Sequence, residues 1–271
     1  MPDIHPTAII DSAAQLAEDV VIGPHCVIDG PAVIGAGTRL IGSVYLHGPV
    51  VLGERNTLYP HSCLGFEPQA LWYKGETAGV AVGDDNMLRE GVTIHCSGET
   101  VSPTRIGNGN LLMNHAHIGH DSHIADNCVF ASSALLGGHV EVGDNVNMAG
   151  NSGVQQYCRL GRLCFIGGGN GVTRDVPPFV ITRGQNQVFG LNVIGLRRSG
   201  VTRDAIDRLK LAYETLYLNG HSRPVSVGLI EDSIVEGDSD CDLVVEFVEF
   251  VKACERGLCP HGGVGNKRSD R

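Results

Sequence analysis

The chain has 271 residues, 42% apolar and 18% charged, which excludes a disordered polymer and allows one or two domains with a real core. Its net charge of −10 argues against a general nucleic-acid binder. Thirty-seven glycines against one tryptophan point to a fold with many tight corners, since glycine weakens the interior of regular elements.

No stretch approaches the roughly 18 uninterrupted apolar residues of a membrane span. Met1 to His5 is not a basic segment ahead of an apolar run. The expectation is a cytoplasmic chain without a secretory or transmembrane segment.

From Ile4 every sixth residue is Ile or Leu through Leu64, eleven sites in one phase. The phase returns at Val82, Leu88 and Ile94, and runs again from Ile106 to Val172. Two positions earlier the residues are small or short, as at Ala8, Ala14, Cys26, Ala32, Ala116, Ser122 and Cys128. Glycine often follows the large apolar site, as in Ile22-Gly23, Ile34-Gly35 and Ile118-Gly119. A period of six fits neither a helix nor a plain strand. It fits a short strand and a turn, repeated. Three such units close a triangular coil of 18 residues, and stacked coils make a parallel β-helix with a spacing of about 4.8 Å.

The phase lapses over 65–80 and 96–105, so loops are expected near 65–81 and 96–105. Loops on a rigid solenoid commonly carry binding. After Val172, the segment 173–187 with Pro177-Pro178 reads as a crossing connection. The expected division is a β-helix over 1–187 and an α-helical region over 188–271. A short helix is expected over 189–198, ended by Gly200. A second runs from an N-cap at Thr202 to about Leu218, with Ile206, Leu209, Ala212 and Leu216 inward. Further helices are expected over 225–236 and 242–255. Such helices would cover the open end of the solenoid. The tail from about residue 260 is expected to be disordered.

There are nine cysteines and no CxxC pair. Cys26, Cys128, Cys158 and Cys164 share one repeat position, so buried thiols in a reducing compartment are expected. Cys254, Cys259 and His261 have poor spacing for zinc.

The stretch Asn114-His115-Ala116-His117-Ile118-Gly119-His120-Asp121 gathers three histidines and an aspartate. In an 18-residue register Gly138 lies one coil above His120, and Gln156 one further. His139 is one residue off that column. Two chemistries suit this set. His120 could remove a hydroxyl proton while Asp121 fixes its tautomer and a backbone N–H near Gly138 receives an oxyanion. Alternatively His115 and His120, spaced H-x4-H, could hold a metal with a third histidine. Turn histidines can also simply decorate a solvated surface.

Leu111-Leu112-Met113 followed by Ala116-His117-Ile118-Gly119-His120-Asp121 resembles the active-site stretch of the UDP-N-acetylglucosamine O-acyltransferases, the first enzymes of lipid A synthesis. The likeness extends to Ile4-His5-Pro6-Thr7-Ala8-Ile9, Arg89 to His95, Gly137-Gly138-His139-Val140, Asp175-Val176-Pro177-Pro178 and Phe189 to Arg198. The resemblance implies a left-handed parallel β-helix and a homotrimer with sites between subunits. It implies transfer of a 3-hydroxyacyl chain from acyl carrier protein to the 3-hydroxyl of UDP-N-acetylglucosamine or a related nucleotide sugar. No resident metal or cofactor is implied, because phosphopantetheine arrives on the carrier.

By the same resemblance, His120 is the general base, Asp121 its partner and Gly138 the oxyanion donor. His117, His139 and Gln156 would line the sugar and phosphopantetheine site, with Gln69 of the first loop among the substrate-binding residues. Asn192 and Arg198 would reach the nucleotide, and Gly168 would sit near the acyl-chain end. The chain departs from the family pattern at four places. Ala70 replaces an aspartate, Trp72 a lysine, Gln155 a histidine and Ile194 a glutamate. The base is kept while substrate contacts change. Arg159, Arg162, Arg174 and Arg183 are candidate contacts for an acidic carrier protein. Two other readings are a zinc hydro-lyase of the γ-carbonic anhydrase kind, using H-x4-H, and a scaffold that has lost catalysis.

Overall fold

The structure is a computed structural model and describes residues 1–262. Its hexads fold as strands mostly two or three residues long, separated by tight turns. Each strand pairs in parallel with the strand one coil away, as Leu111 with Val129 and Val129 with Asn147. Among the described residues these pairings build sheets of eleven, nine and eight strands, which form the three walls of a parallel β-helix. The inward column of the first wall is Leu40, Leu58, Leu88, Leu112, Phe130, Met148 and Ile166, every one fully buried. Ile4, in the same phase, is 41% exposed because the first coil has a neighbour on one side only.

Many turns place their second residue in the left-handed region. His25, Asp85, His115, Asp121, Asn127, His139 and Asn145 all have φ between 56° and 58°. Asn, Asp and His tolerate this conformation best among side chains with a Cβ. The corners therefore favour these residues before any chemistry is asked of them.

A polar ladder interrupts the apolar core. The Thr38 hydroxyl accepts from the Asn56 N–H, the Asn56 side chain from the Asn86 N–H, and the Asn86 side chain from the Asn110 N–H. The Asn86 amide also donates to Asn56 Oδ1 and to the Gly107 carbonyl. Asn86 is 1% exposed, so its removal strands buried partners. Asn86→Ala is expected to lower unfolding stability by about 2–3 kcal/mol, read from the urea midpoint.

Two loops leave the solenoid without breaking its register. Val50 pairs with Val80 and Val80 with Thr104, so the excursions add whole hexads. Near the C-terminal end Val180–Thr182 extends the first wall parallel to Phe165–Ile166, then pairs antiparallel with Val188–Leu191. The expected crossing connection thus contains a strand. The expected helix over 189–198 begins as one too. Its helical part, α1, is Val193–Arg198, because Asn192 is the N-cap and accepts from the Gly195 N–H.

Helix α2 is Arg203–Tyr217, with the Thr202 side chain accepting from the Ala205 N–H as a cap. Helix α3, Arg223–Glu231, starts earlier than expected because a proline suits its first turn. Helix α4 is Asp242–Lys252. It lies along the third wall, where Arg162 binds Glu246 at 2.6 Å and Arg159 covers the Phe250 ring.

The expected disorder from about 260 does not hold for Pro260 to Gly262. Val188 donates its N–H to the Pro260 carbonyl, Gly262 donates to Val188, and the adjacent Cys259 is buried. The strand edge at Val188 recruits this segment to satisfy its backbone groups. The rest of that expectation, 263–271, lies outside the described residues.

All nine cysteines are free thiols. Burial pushes the Cys128 thiol up to about 12. No helix among the described residues is long and apolar enough to cross a membrane.

Candidate active site

The corner between the second and third walls carries His120, and local geometry gives its ring a direction. Asp121, next in the chain, adopts the left-handed turn conformation that brings its carboxylate back beside the preceding ring. His120 Nδ1 lies 2.6 Å from Asp121 Oδ2. An ionised carboxylate only accepts, so the Nδ1 of His120 carries the hydrogen and Nε2 presents its lone pair. Asp121 is itself fixed. The Gly98 N–H donates to both carboxylate oxygens at 3.0 and 3.1 Å, and the Asp121 N–H donates to the Thr104 hydroxyl at 2.8 Å. The side chains of His120 and Asp121 are 13% and 7% exposed.

Gly138 sits one coil above. A Cβ at that position would lie 2.6 Å from His120 Nε2, so the bare backbone is what leaves room for the ring's basic edge. The fate of the turn N–H groups distinguishes this corner from another. At the other corner a side chain from the coil above closes each one: Asp84 accepts from the Glu54 N–H, Asn108 from Asp84, Asp126 from Asn108 and Asp144 from Asp126. Gly138 has no side chain to offer His120, and its own N–H has no acceptor among the described residues. An unfilled donor beside a fixed base can receive a developing oxyanion.

His139 joins from the same turn as Gly138. Its Nε2 is 3.6 Å from Asp121 Oδ2, and its ring centre is 5.1 Å from that of His120. Burial lowers its pKa, with Asp121 opposing. Tyr157 stacks on the outer face of His139 at 4.5 Å, and Trp72 meets His120 edge-on at 5.3 Å. Gln156 lies exposed one coil above Gly138, and Gln69 lies exposed in the first loop. A cleft of about 670 Å³ opens beside this corner, lined by Asp121, His139, Tyr157, Arg159 and Arg256.

His117 faces outward on the second wall, its Nδ1 sharing a hydrogen bond with the Thr93 hydroxyl at 2.8 Å and its ring against His95. Burial, aided by His95 and His120, lowers its pKa from 6.5 to about 4. The folded state thus resists a proton that the unfolded chain accepts. Stability is complete above about pH 6.5 and is expected to fall as pH drops from 6.5 toward 4. Urea titrations at several pH values check this; His117→Gln should flatten the decline over that window.

Gly168, Asn192 and Arg198 do not meet His120 within one chain. They line a second cleft on the first wall, with Asn147, Phe165 and Ile194. Asn192 is occupied as the cap of α1, its amide donating to the Leu163 carbonyl. His115 does not join a metal set with His120. Among the described residues the grouping that could hold an ion is His120, Asp121 and His139. His115 turns at a different corner, against Gly91, because five residues nearly complete one wall of the triangle. Arg159 and Arg162 are not free cations, since Glu141 and Glu246 hold them.

Sequence reasoning missed Tyr157, Gly98 and Thr104. The 18-residue step from His139 reaches Tyr157 and could have found it. Gly98 and Thr104 depend on how a loop returns, which no repeat encodes.

Residues 103–138 match the bacterial transferase hexapeptide (six repeats) family, and residues 175–259 match the second domain of Udp N-acetylglucosamine O-acyltransferase. An acyl-[acyl-carrier-protein]–UDP-N-acetylglucosamine O-acyltransferase of Burkholderia orbicola is 40% identical, covering 95% of this chain and 99% of its own. The counterpart from Thermodesulfovibrio yellowstonii is 37% identical over 96% of this chain and all of its own. Among solved structures, the UDP-N-acetylglucosamine acyltransferase of Francisella novicida superposes with a TM-score of 0.90 at 31% identity, covering 96% of this chain and 95% of its own. That of Moraxella catarrhalis gives 0.88 at 35% identity, covering 94% and 99%. With relatives this similar along nearly the whole length of both chains, the protein belongs to the UDP-N-acetylglucosamine O-acyltransferase family.

Proposed function

We propose that this chain is an O-acyltransferase that moves an acyl group from an acyl carrier protein thioester to the 3-hydroxyl of UDP-N-acetylglucosamine, the opening step of lipid A synthesis. The observation that carries the reading is His120, fixed through Nδ1 by Asp121 at 2.6 Å, with the Gly138 backbone against its Nε2 edge. His120 Nε2 takes the hydroxyl proton as the oxygen attacks the thioester carbonyl. The tetrahedral oxyanion accepts a hydrogen bond from the Gly138 N–H. Collapse breaks the C–S bond, and the leaving sulfur takes the proton back from His120. The reaction uses a base and an oxyanion donor and asks for no redox group. The cleft beside His139 and Tyr157 offers a path for the phosphopantetheine arm.

The same reading includes a cytoplasmic homotrimer. The outward rows of the first wall are apolar at Met87, Leu111 and Val129, and the second wall exposes Leu135. From the second loop onward the third wall instead carries Arg105, His123, Glu141 and Arg159 outward, while Val33 and Val51 are exposed in its early coils. Two different apolar flanks per chain suit a closed ring. Such a ring brings the cleft of Asn192 and Arg198 on one subunit toward the His120 corner of its neighbour.

The test is to incubate the purified chain with acyl carrier thioesters and UDP-N-acetylglucosamine, and to follow thiol release and the acylated sugar by mass. Turnover, and a solution mass of three chains of 28.7 kDa each, is expected. No turnover with any acyl length would overturn the reading.

A further inference from the structure

The chain's one tryptophan stands against the proposed base. The Trp72 ring centre is 5.3 Å from that of His120, with the planes at 75°. A Cβ at Gly98 would lie 2.3 Å from the indole, so the second loop passes here only because glycine yields the space. The first loop is anchored on both sides of Trp72. Cys96 donates to the Phe66 carbonyl at 2.9 Å, and the Ala78 N–H donates to the Glu99 carbonyl at 2.7 Å. Next to Trp72, the Tyr73 ring packs edge-on against the indole, and its hydroxyl reaches Cys96 Sγ. The indole is thus held in place before any ligand arrives.

Yet 52% of Trp72 is exposed, and its N–H has no acceptor among the described residues. A large apolar face left in water beside a reactive group gains by being covered. The acceptor hydroxyl must come within about 3 Å of His120 Nε2 to lose its proton. The ring bearing that hydroxyl then lies within reach of the indole. The cleft lined by Asp121, His139 and Tyr157 borders the carboxylate partner of the base and suits the donor. A pyranose offers an apolar C–H face and a polar rim, which match an indole with a free N–H.

We infer that Trp72 is a specificity-determining residue for the acceptor. Its indole packs against the sugar ring and holds the reacting hydroxyl at His120. This inference rests on the acyltransferase reading and adds the group that seats the sugar.

The test uses the intact chain. UDP-N-acetylglucosamine is titrated without donor while the emission of the single tryptophan is followed. A saturable change with a half-point near the acceptor KM is expected. Trp72→Ala should raise the acceptor KM about tenfold and leave the carrier-thioester KM unchanged. Trp72→Phe should recover most of that loss, which a purely structural role of the loop does not predict. An acceptor KM within about twofold of wild type in the alanine variant overturns the inference. So does emission that ignores saturating acceptor, or a phenylalanine variant no better than alanine. If the alanine variant does not fold, the emission titration and the phenylalanine variant decide. Wild type without turnover defeats the acyltransferase reading; turnover with an unmoved acceptor KM defeats only the role of Trp72.

Discussion

Replacing His120 by alanine is expected to lower kcat for acyl transfer about a thousandfold, within the range typical of a lost general base. Thermal stability should change little. The ring packs against Trp72 and His139 at a corner, outside the buried apolar columns. Asp121 retains both bonds from the Gly98 N–H when the imidazole is gone. The loss therefore measures proton transfer rather than collapse of the site. Initial rates of thiol release at saturating substrates check it. A variant within tenfold of wild type would remove His120 as the base.

Gly138→Ala should be nearly as damaging, although it adds one methyl group. Gly138 does not adopt a left-handed φ, so alanine is compatible with its backbone. The equivalent turn position holds Ser132, Asp126 and Asp144 elsewhere. The new Cβ would lie 2.6 Å from both Nε2 and Cε1 of His120, and the ring must move. It cannot move freely, because Asp121 holds one side and Trp72 packs on another. The Nε2 edge of His120 and the Gly138 N–H are displaced together. A fall in kcat of roughly a hundredfold or more is expected, with a Tm close to wild type. Retained activity would show that the ring and the amide do not act as one site. In contrast, Gly23→Ala would press a Cβ to 2.0 Å from the Ile41 carbonyl oxygen and should fail by destabilisation, not by chemistry.

Much of the site was legible because a solenoid converts sequence distance into spatial distance. The step of 18 placed Gly138 over His120, and the structure puts them in contact. The same step separated His120 from His115, since five residues turn a corner of the triangle. Where the repeat lapses, that conversion fails. Trp72 and Gly98 meet because two loops fold over the same corner and bond to one another through Ala78, Ser97 and Glu99. The C-terminal elements were readable by caps, as at Thr202, but Val188–Leu191 was taken by its antiparallel partner Val180–Thr182. Antiparallel pairing across the short turn at 183–187 outweighed local helical preference there.

By itself the sequence determined the parallel β-helix, its phase, the buried columns and the corner that carries His120 and Asp121. A strict period leaves one inward face per hexad, and burial of that face decides the register. Only the tertiary structure decided which turn amides are filled and which stay open. It also decided what holds the Asp121 carboxylate, and that the lone tryptophan lies against His120. These depend on close approaches between segments with no common repeat, where a missing Cβ at Gly98 or Gly138 matters more than any periodic signal.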